Sequence, residues 1–313
     1  MSARLVLVTG GAGFIGSNLV RALLRNGDRV RVLDNFSTGS RENLAPLLGE
    51  VEVVEGDLRS YERVHAAVRG TEVVFHQGAL PSVPRSVQDP LTTTAVNIEG
   101  TLNVLLAARD ENVRRVVNAS SSSVYGNSGV LPRTEDQSPD PISPYAVAKL
   151  AAERFCTSFS RVYDMETVSL RYFNVFGPLQ DPNSQYAAVV PRFIRLIADG
   201  RPVTVHGDGE QSRDFTFVDN VIGANMLAAE APGVNGMSLN IATGVSETIN
   251  RATDLIGKMI ELPVERIFVE AQPADVRASL ADISEAQRMI GYDPVVPFAE
   301  GLRRTVDSIL HEG

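Results

Sequence analysis

The stretch Thr9-Gly10-Gly11-Ala12-Gly13-Phe14-Ile15-Gly16 limits what this chain can fold into more than any other. It follows a short β-branched run, Arg4 to Val8, and opens a helical pattern, Phe14 to Arg25, that stops at Asn26-Gly27. Glycines at this spacing meet three separate needs. Gly10 allows a tight turn, Gly13 lets the backbone approach a pyrophosphate, and Gly16 lets the helix pack closely on the sheet. The phosphates then rest on a helix N-terminus, where free N–H groups and the helix dipole favour anions. A second strand, Arg29 to Leu33, leads to Asp34, which is placed either to accept hydrogen bonds from a ribose diol or to cap a loop. A carboxylate there repels the extra phosphate of NADP, so NAD is the expected dinucleotide. Asp57, in Gly56-Asp57-Leu58 after a third strand, is placed to recognise an adenine amino group or to cap the next helix.

The alternation continues. Strands are expected at Val51 to Glu55, Val73 to His76, Arg115 to Ala119 and Thr167 to Leu170. Helices are expected near Ser60 to Val68, Asn97 to Asn112 and Pro144 to Tyr163. Strands separated by helical crossovers make a parallel sheet wound on both faces, so the fold class is α/β, doubly wound in the Rossmann manner. After Tyr172 the rhythm breaks into Pro- and Asn-containing loops. Helices are expected near Val189 to Ala198, Glu247 to Ile260 and Phe298 to Leu310, with a turn at Gly207-Asp208-Gly209. Residues 1–172 thus read as the dinucleotide-binding domain, completed by about 213–243, and 173–313 as mainly a smaller α/β substrate domain. Neither repeats nor a linker composition separate the two, which points to close packing with a cleft between them.

Composition narrows the function. A chain of 313 residues with 43% hydrophobic content can bury a full core. Its net charge of −9, without any basic block, argues against nucleic acid or an anionic membrane surface as partner. The single Cys156 excludes an internal disulfide and a thiolate metal cluster, so no metal is expected. No apolar run reaches the roughly 18 residues of a membrane span, and no signal peptide precedes the first strand, so cytoplasmic residence is expected. Scattered histidines, and the lack of a Walker loop, nucleophile elbow or zinc-protease helix, remove other enzyme classes. His76, at a strand end, reads as structural.

Chemistry is suggested by Ser121, in the serine run Ser120 to Ser123 after a strand end, with Tyr145 and Lys149 on the next helix. Residues four apart share a helix face, so the Lys149 ammonium can sit beside the Tyr145 phenol. A free phenol titrates near pH 10, roughly, and is a poor base unless a cation lowers it. Hydroxyl, phenol and ammonium together can bind an alcohol oxygen and remove its proton while the carbon-bound hydride faces a nicotinamide.

With the glycine fingerprint, this trio resembles the short-chain dehydrogenase/reductase superfamily, extended subgroup, over the whole chain. Asp34-Asn35-Phe36-Ser37-Thr38-Gly39, His76-Gln77-Gly78-Ala79-Leu80, Ser143-Pro144-Tyr145, Arg171-Tyr172-Phe173-Asn174-Val175-Phe176-Gly177-Pro178 and Ser212-Arg213-Asp214-Phe215 resemble nucleotide-sugar 4-epimerases. The likeness is strongest to UDP-N-acetylglucosamine/UDP-glucose 4-epimerases, for which Gln180-Asp181-Pro182-Asn183 and Asp275-Val276-Arg277-Ala278-Ser279-Leu280-Ala281-Asp282 are also typical.

The resemblance implies a role for each matching residue. Tyr145 would be the acid and base, Ser121 its hydrogen-bond relay, and Lys149 the group that lowers the phenol and binds ribose. Phe173 would border the nicotinamide. Phe14, Ile15, Asn35, Ser37, Thr38, Gly39, Leu58, Gln77 and Ala79 would complete the NAD site. Asn174 and Arg213 would hold the diphosphate, unless they are a turn residue and a surface ion pair. Ser82, Ser123, Val189 and Asp275 would line the sugar nucleotide. Ser279 would leave room for an N-acetyl group at C2, unless it faces solvent. Three positions depart from the pattern. Gln272 stands where a diphosphate-binding arginine is usual, Gly78 replaces an alanine, and His206 fills the slot of an aromatic that stacks on uracil.

Relatives that eliminate water carry an Asp-Glu pair where this chain has Ser122 and Ser123, and decarboxylases carry Glu at the Ser123 position. The chemistry left is reversible hydride transfer at one carbinol, through a 4-keto sugar that turns over before the hydride returns. A UDP-hexose 4-epimerase is therefore expected. A UDP-glucuronate 4-epimerase, another nucleotide-sugar oxidoreductase and an idle NAD-binding scaffold are the rivals. The helices near 97–112 and 144–163 resemble the pair that forms a four-helix seam, which implies a homodimer.

Overall fold

The computed structural model describes residues 3–127, 129–182, 188–270 and 277–311. The first βαβ unit runs β1 (Leu5–Thr9), α1 (Phe14–Arg25), β2 (Arg29–Asp34), and is followed by β3 (Val51–Glu55), α2 (Tyr61–Val68) and β4 (Val73–His76). Next come α3 (Val83–Gln88), α4 (Pro90–Thr94), a π-helical turn Ala95–Glu99, α5 (Gly100–Asp110), β5 (Arg115–Ser121), α6 (Pro144–Tyr163) and β6 (Glu166–Tyr172). The remainder is β7 (Val175–Phe176), α7 (Val189–Ala198), β8 (Val203–His206), β9 (Ser212–Arg213), β10 (Thr216–Phe217), α8 (Val218–Glu230), β11 (Met237–Ile241), β12 (Glu247–Thr248), α9 (Ile249–Ile260), β13 (Arg266–Val269), α10 (Ser284–Ile290) and α11 (Phe298–His311).

Seven strands form one sheet in the order β11-β6-β5-β4-β1-β2-β3, and every pair in it is parallel. Val6, Leu7 and Val8 are wholly buried, as a strand covered on both faces requires. One face carries α2, α5 and α6 over Leu7, Leu33, Val74 and Val116, and Cys156 is buried there as an apolar side chain. The other face carries α1 and α8 over Val6, Val8, Phe75 and Val117. That core runs on into the C-terminal part, where Phe176 meets Phe215, Phe217 and Phe298 edge-on. The doubly wound parallel sheet expected from the alternation is thus present.

Helix starts follow their caps. Ser60 accepts from Arg63 N at the head of α2, and Ser143 accepts from Ala146 N with Pro144 at the first helical position of α6. The helix expected at 97–112 starts earlier and passes through the π turn, because the Asn97 side chain is buried and bonds both backbone groups of Leu80. The start expected at Glu247 is a strand residue instead, and Thr248 caps α9 by accepting from Arg251 N. Helix α8 gave no periodic signal because it is apolar on most sides. Its Asn220 and Asn225 are buried and bonded, Asn220 to Val296 and Asn225 to Tyr172 and Val221. Among the described residues no helix is long and apolar enough to cross a membrane, and no His/Cys/Asp/Glu cluster could hold a metal.

The fold makes opposite predictions for two glycines. A Cβ on Gly16 would lie 2.1 Å from the Gly10 carbonyl oxygen, so Gly16→Ala should cost about 3 kcal/mol or prevent folding. Gly223, inside α8 with open space beside it, should gain about 0.5–1 kcal/mol as alanine. Urea unfolding of both variants checks the pair, and equal effects would contradict the packing described.

Candidate active site

A cavity of about 1130 Å³ opens at the carboxyl ends of β1, β2, β4, β5 and β6, where the backbone emerges from the sheet. Its floor is the glycine turn. Gly10 has φ +66, its N–H bonds Leu33 O at 2.8 Å, and a Cβ there would lie 2.6 Å from Gly78 Cα. Gly78 is equally confined, because its own Cβ would meet Leu58 Cδ1 at 2.9 Å. Two loops are therefore in backbone contact, and neither leaves room for a side chain there. Helix α1 begins at Gly13 with no side-chain cap, and Phe14, Ile15 and Gly16 of its first turn line the cavity.

Asp34 closes β2 and serves as the local cap weighed for it. Its Oδ2 accepts from Ala12 N at 2.9 Å and its Oδ1 from Phe36 N at 2.8 Å, so it braces the glycine turn while lining the cavity. Burial pushes its carboxyl above the ordinary range against these bonds. Asn35, Ser37 and Thr38 continue the wall. Gly39 does not line the cavity; it lies behind the turn, where a Cβ would come 2.7 Å from the Ala12 carbonyl carbon.

Asp57 lines the cavity beside Leu58 but is not a helix cap; Ser60 caps α2. Asp57 instead accepts from Arg59 and from Asn35 Nδ2, and the Arg59 guanidinium holds its carboxyl well below the usual range. Gln77 and Ala79 also line the wall, with Gln77 Nε2 donating to Asn225 Oδ1 at 2.9 Å. His76 is buried between Thr9 Oγ1 and Thr101 Oγ1, and burial pushes it down to about 3, so it is neutral and structural.

The trio comes together where β5 meets α6. Ser121 ends β5, and its hydroxyl bonds Tyr145. Burial raises the Tyr145 phenol above its ordinary value, and the Ser121 bond pulls the other way. The expectation that Lys149 lowers the phenol needs correction. Lys149 shares the helix face with Tyr145, but its Nζ donates to Ala119 O at 2.7 Å, and the phenol responds to burial and Ser121 instead. The ammonium is itself buried, which pulls it down to about 8 against the opposing pull of Glu153 and Cys156. Phe173 is fully buried yet forms part of the wall.

On the far side, Ser82, Ser123, Asn174, Arg213 and Ser279 line the cavity. Asn174, at φ +36, donates to Asp214 O at 3.1 Å and to Ser279 Oγ at 3.4 Å, so Ser279 faces inward and not the solvent. The residue between the motif's arginine and phenylalanine organises this wall. Buried Asp214 accepts from Thr243 N, Thr243 Oγ1, Gly244 N and Ala281 N, tying three segments together. Two expected positions fall outside the wall. Val189 packs into the core while Ala188 lines the cavity, and His206, at the end of β8, turns its Nδ1 to Glu270 O. Gln272 and Asp275 lie outside the described residues. Sequence reasoning missed Arg85 and Arg133, which line the cavity from separate segments that no spacing connects.

The profile of the NAD dependent epimerase/dehydratase family matches residues 6–242. The chain is 38% identical over 310 residues to a UDP-glucose 4-epimerase of Mycolicibacterium smegmatis, covering 96% of this chain and 97% of that one. Among solved structures it resembles the UDP-N-acetylglucosamine 4-epimerase of Methanobrevibacter ruminantium in complex with UDP-N-acetylmuramic acid, at 40% identity and TM-score 0.95 over 100% of both chains. It also resembles the Thermus thermophilus UDP-glucose 4-epimerase in complex with NAD, at 37% identity and TM-score 0.89 over 98% and 99%.

The Ser121 bond gives this site a direct test. Ser121→Ala removes the hydrogen bond that lowers the Tyr145 phenol, so the phenol should titrate at higher pH. NMR of ring-labelled tyrosine reads the midpoint, and an unchanged Tyr145 would refute the contact.

Proposed function

The chain belongs to the NAD dependent epimerase/dehydratase family, and within it we propose a 4-epimerase of UDP-hexoses, UDP-N-acetylglucosamine and UDP-glucose with their 4-epimers, working through a transient 4-keto sugar. The observation that carries this reading is a hydroxyl-bonded tyrosine beside a buried lysine, in one cavity with a glycine turn and the Asp34 carboxylate. The residues suit NAD. The uncapped start of α1 accepts a pyrophosphate, the close approach of Gly10 and Gly78 leaves backbone alone at that point, and Asp34 offers acceptor oxygens to a diol while repelling a 2′-phosphate. Bound there, NAD supplies reversible hydride exchange with a carbinol carbon.

The chain's own residues do the rest. Tyr145 takes the proton of the C4 hydroxyl as that carbon is oxidised, with Ser121 bonded to the same oxygen. Lys149 contributes a positive charge near the ribose, and the cofactor's ring charge would favour the phenolate. Tyr145 returns the proton once the 4-keto sugar has turned its other face. The serine run Ser120 to Ser123 carries no carboxylate, so the site lacks the acid and base that water elimination needs. Asn174 and Arg213 are placed to meet a diphosphate, and the small Ser279 beside Asn174 leaves space at a C2 substituent. In this arrangement the sheet-bearing part holds the cofactor and the C-terminal part the sugar nucleotide.

One observation favours a second substrate, UDP-glucuronate. Arg85 stands in the cavity wall, where its guanidinium is placed to meet a C6 carboxylate. We also propose a homodimer. Val147, Val162 and Tyr163 of α6 are exposed, as are Val87 of α3 and Leu91 of α4, which pack beside that helix.

Two experiments test these readings. NMR of purified protein with UDP-N-acetylglucosamine, UDP-glucose or UDP-glucuronate, without added NAD, should show the 4-epimer of at least one hexose. Tyr145→Phe should lose about 10²–10⁴-fold of the rate. Conversion of the uronate alone would favour the second substrate, and no conversion at all would refute both. Light scattering should give a dimer that Leu91→Glu with Val147→Glu dissociates; a monomeric parent at micromolar concentration would refute the seam.

A further inference from the structure

Helix α6 carries a third ionisable residue in line with the tyrosine and lysine. Tyr145, Lys149 and Glu153 follow one another four residues apart on one helix face, and three consecutive residues of β5 meet them. Ser121 bonds Tyr145, Ala119 O accepts from Lys149 Nζ at 2.7 Å, and Ser120 Oγ donates to Glu153 Oε1 at 2.5 Å. Glu153 also accepts twice from Arg171 of β6, at 2.9 and 2.8 Å, with both side chains buried at 2% and 4% exposure. Arg171 Nη1 in turn donates to Tyr125 Oη at 2.8 Å, and Tyr125 donates to Asn240 Oδ1. The serine run is therefore gripped at its first residue, Ser120, by the acid and just beyond its end, at Tyr125, by the base of one ion pair.

We propose that Glu153 and Arg171 are positioning residues of the site: Glu153 keeps Lys149 cationic in a buried setting, and the pair fixes both ends of the serine run so that Ser121 meets Tyr145. For stability alone, an apolar pair of similar volume would serve as well, because desolvating two charges offsets most of their attraction. What the ionic pair adds is direction. A bidentate guanidinium–carboxylate contact sets the distance and orientation of β5, α6 and β6 together.

The groups facing Lys149 support the charge role. From α6 come Glu153 and Cys156, with Tyr145 one turn away; from β4 comes His76, which is neutral; from β5 comes the Ala119 carbonyl; Arg171 of β6 stands behind Glu153. Burial works against the ammonium, and Glu153 is the main charge opposing it. The activity arm of this inference rests on the epimerase reading. The charge arm does not.

The chain contains only two lysines, Lys149 and the exposed Lys258, so NMR of side-chain-labelled lysine resolves one site and an internal reference. In Glu153→Gln, Lys149 should titrate about one pH unit or more below the parent while Lys258 stays in place. Epimerisation should lose kcat about tenfold or more with little change in KM, and its alkaline limb should move to lower pH. If Glu153→Gln alone does not fold, Glu153→Gln with Arg171→Gln removes both buried charges and should fold with the same displaced Lys149 midpoint. An unmoved Lys149 in a folded variant overturns the charge role. A displaced Lys149 with unaltered kcat overturns the gripping of the serine run, and failure of both variants to fold would make the pair a folding element only. If no UDP-sugar is epimerised by the parent, the lysine titration still decides the charge role.

Discussion

One seam governs this site: the carboxyl end of β5 against a single face of α6. A parallel strand delivers its last residues at the sheet edge, and α6 begins beside it because Ser143 caps the helix and Pro144 fits its first turn. The i, i+4 geometry of the helix then presents side chains to the strand in order. Strand ends and helix starts are the rigid parts of a doubly wound fold, so groups placed there keep their relative positions.

Burial sets the electrostatics of that seam. It raises the Tyr145 phenol, lowers the Lys149 ammonium and keeps His76 neutral, so each group is shifted toward its uncharged form unless a partner opposes it. Such a site holds few charges, and those present act strongly because water does not screen them. An incoming pyridinium charge would meet a phenol and an ammonium whose balance is set by a handful of contacts: Ser121, the Ala119 carbonyl and the Glu153–Arg171 pair.

The C-terminal part is joined to this rigid half by polar hubs within a shared apolar core. Asp214 receives backbone donors from two segments, Thr243-Gly244 and Ala281, and Asn240 links Tyr125 to the backbone of Arg133 and Asp282. Each hub satisfies buried peptide groups that no regular ladder reaches, which is the condition for irregular loops to form a cavity wall. The wall that carries Asn174, Arg213 and Ser279 is held by these contacts.

The local chemistry of the chain determined the sheet and the cofactor-side half of the site. Strand and helix periods, caps and the glycine turn act within a few residues, so β3, β4, α6 and α7 have the extents expected, and Gly10, Gly13, Gly16 and Asp34 line one cavity. Tertiary structure alone decided the rest. Helix α8 is hidden because burial on most sides blurs its amphipathic period, and strands β8, β11 and β13 are too short and too mixed to announce themselves. The partner of Lys149 proved to be the Ala119 carbonyl and not the phenol. Val189 and His206 left the wall while Arg85 and Arg133 joined it. Such outcomes depend on which distant segments share a volume and on how far burial shifts each charge, and neither quantity is encoded in the spacing of residues along the chain.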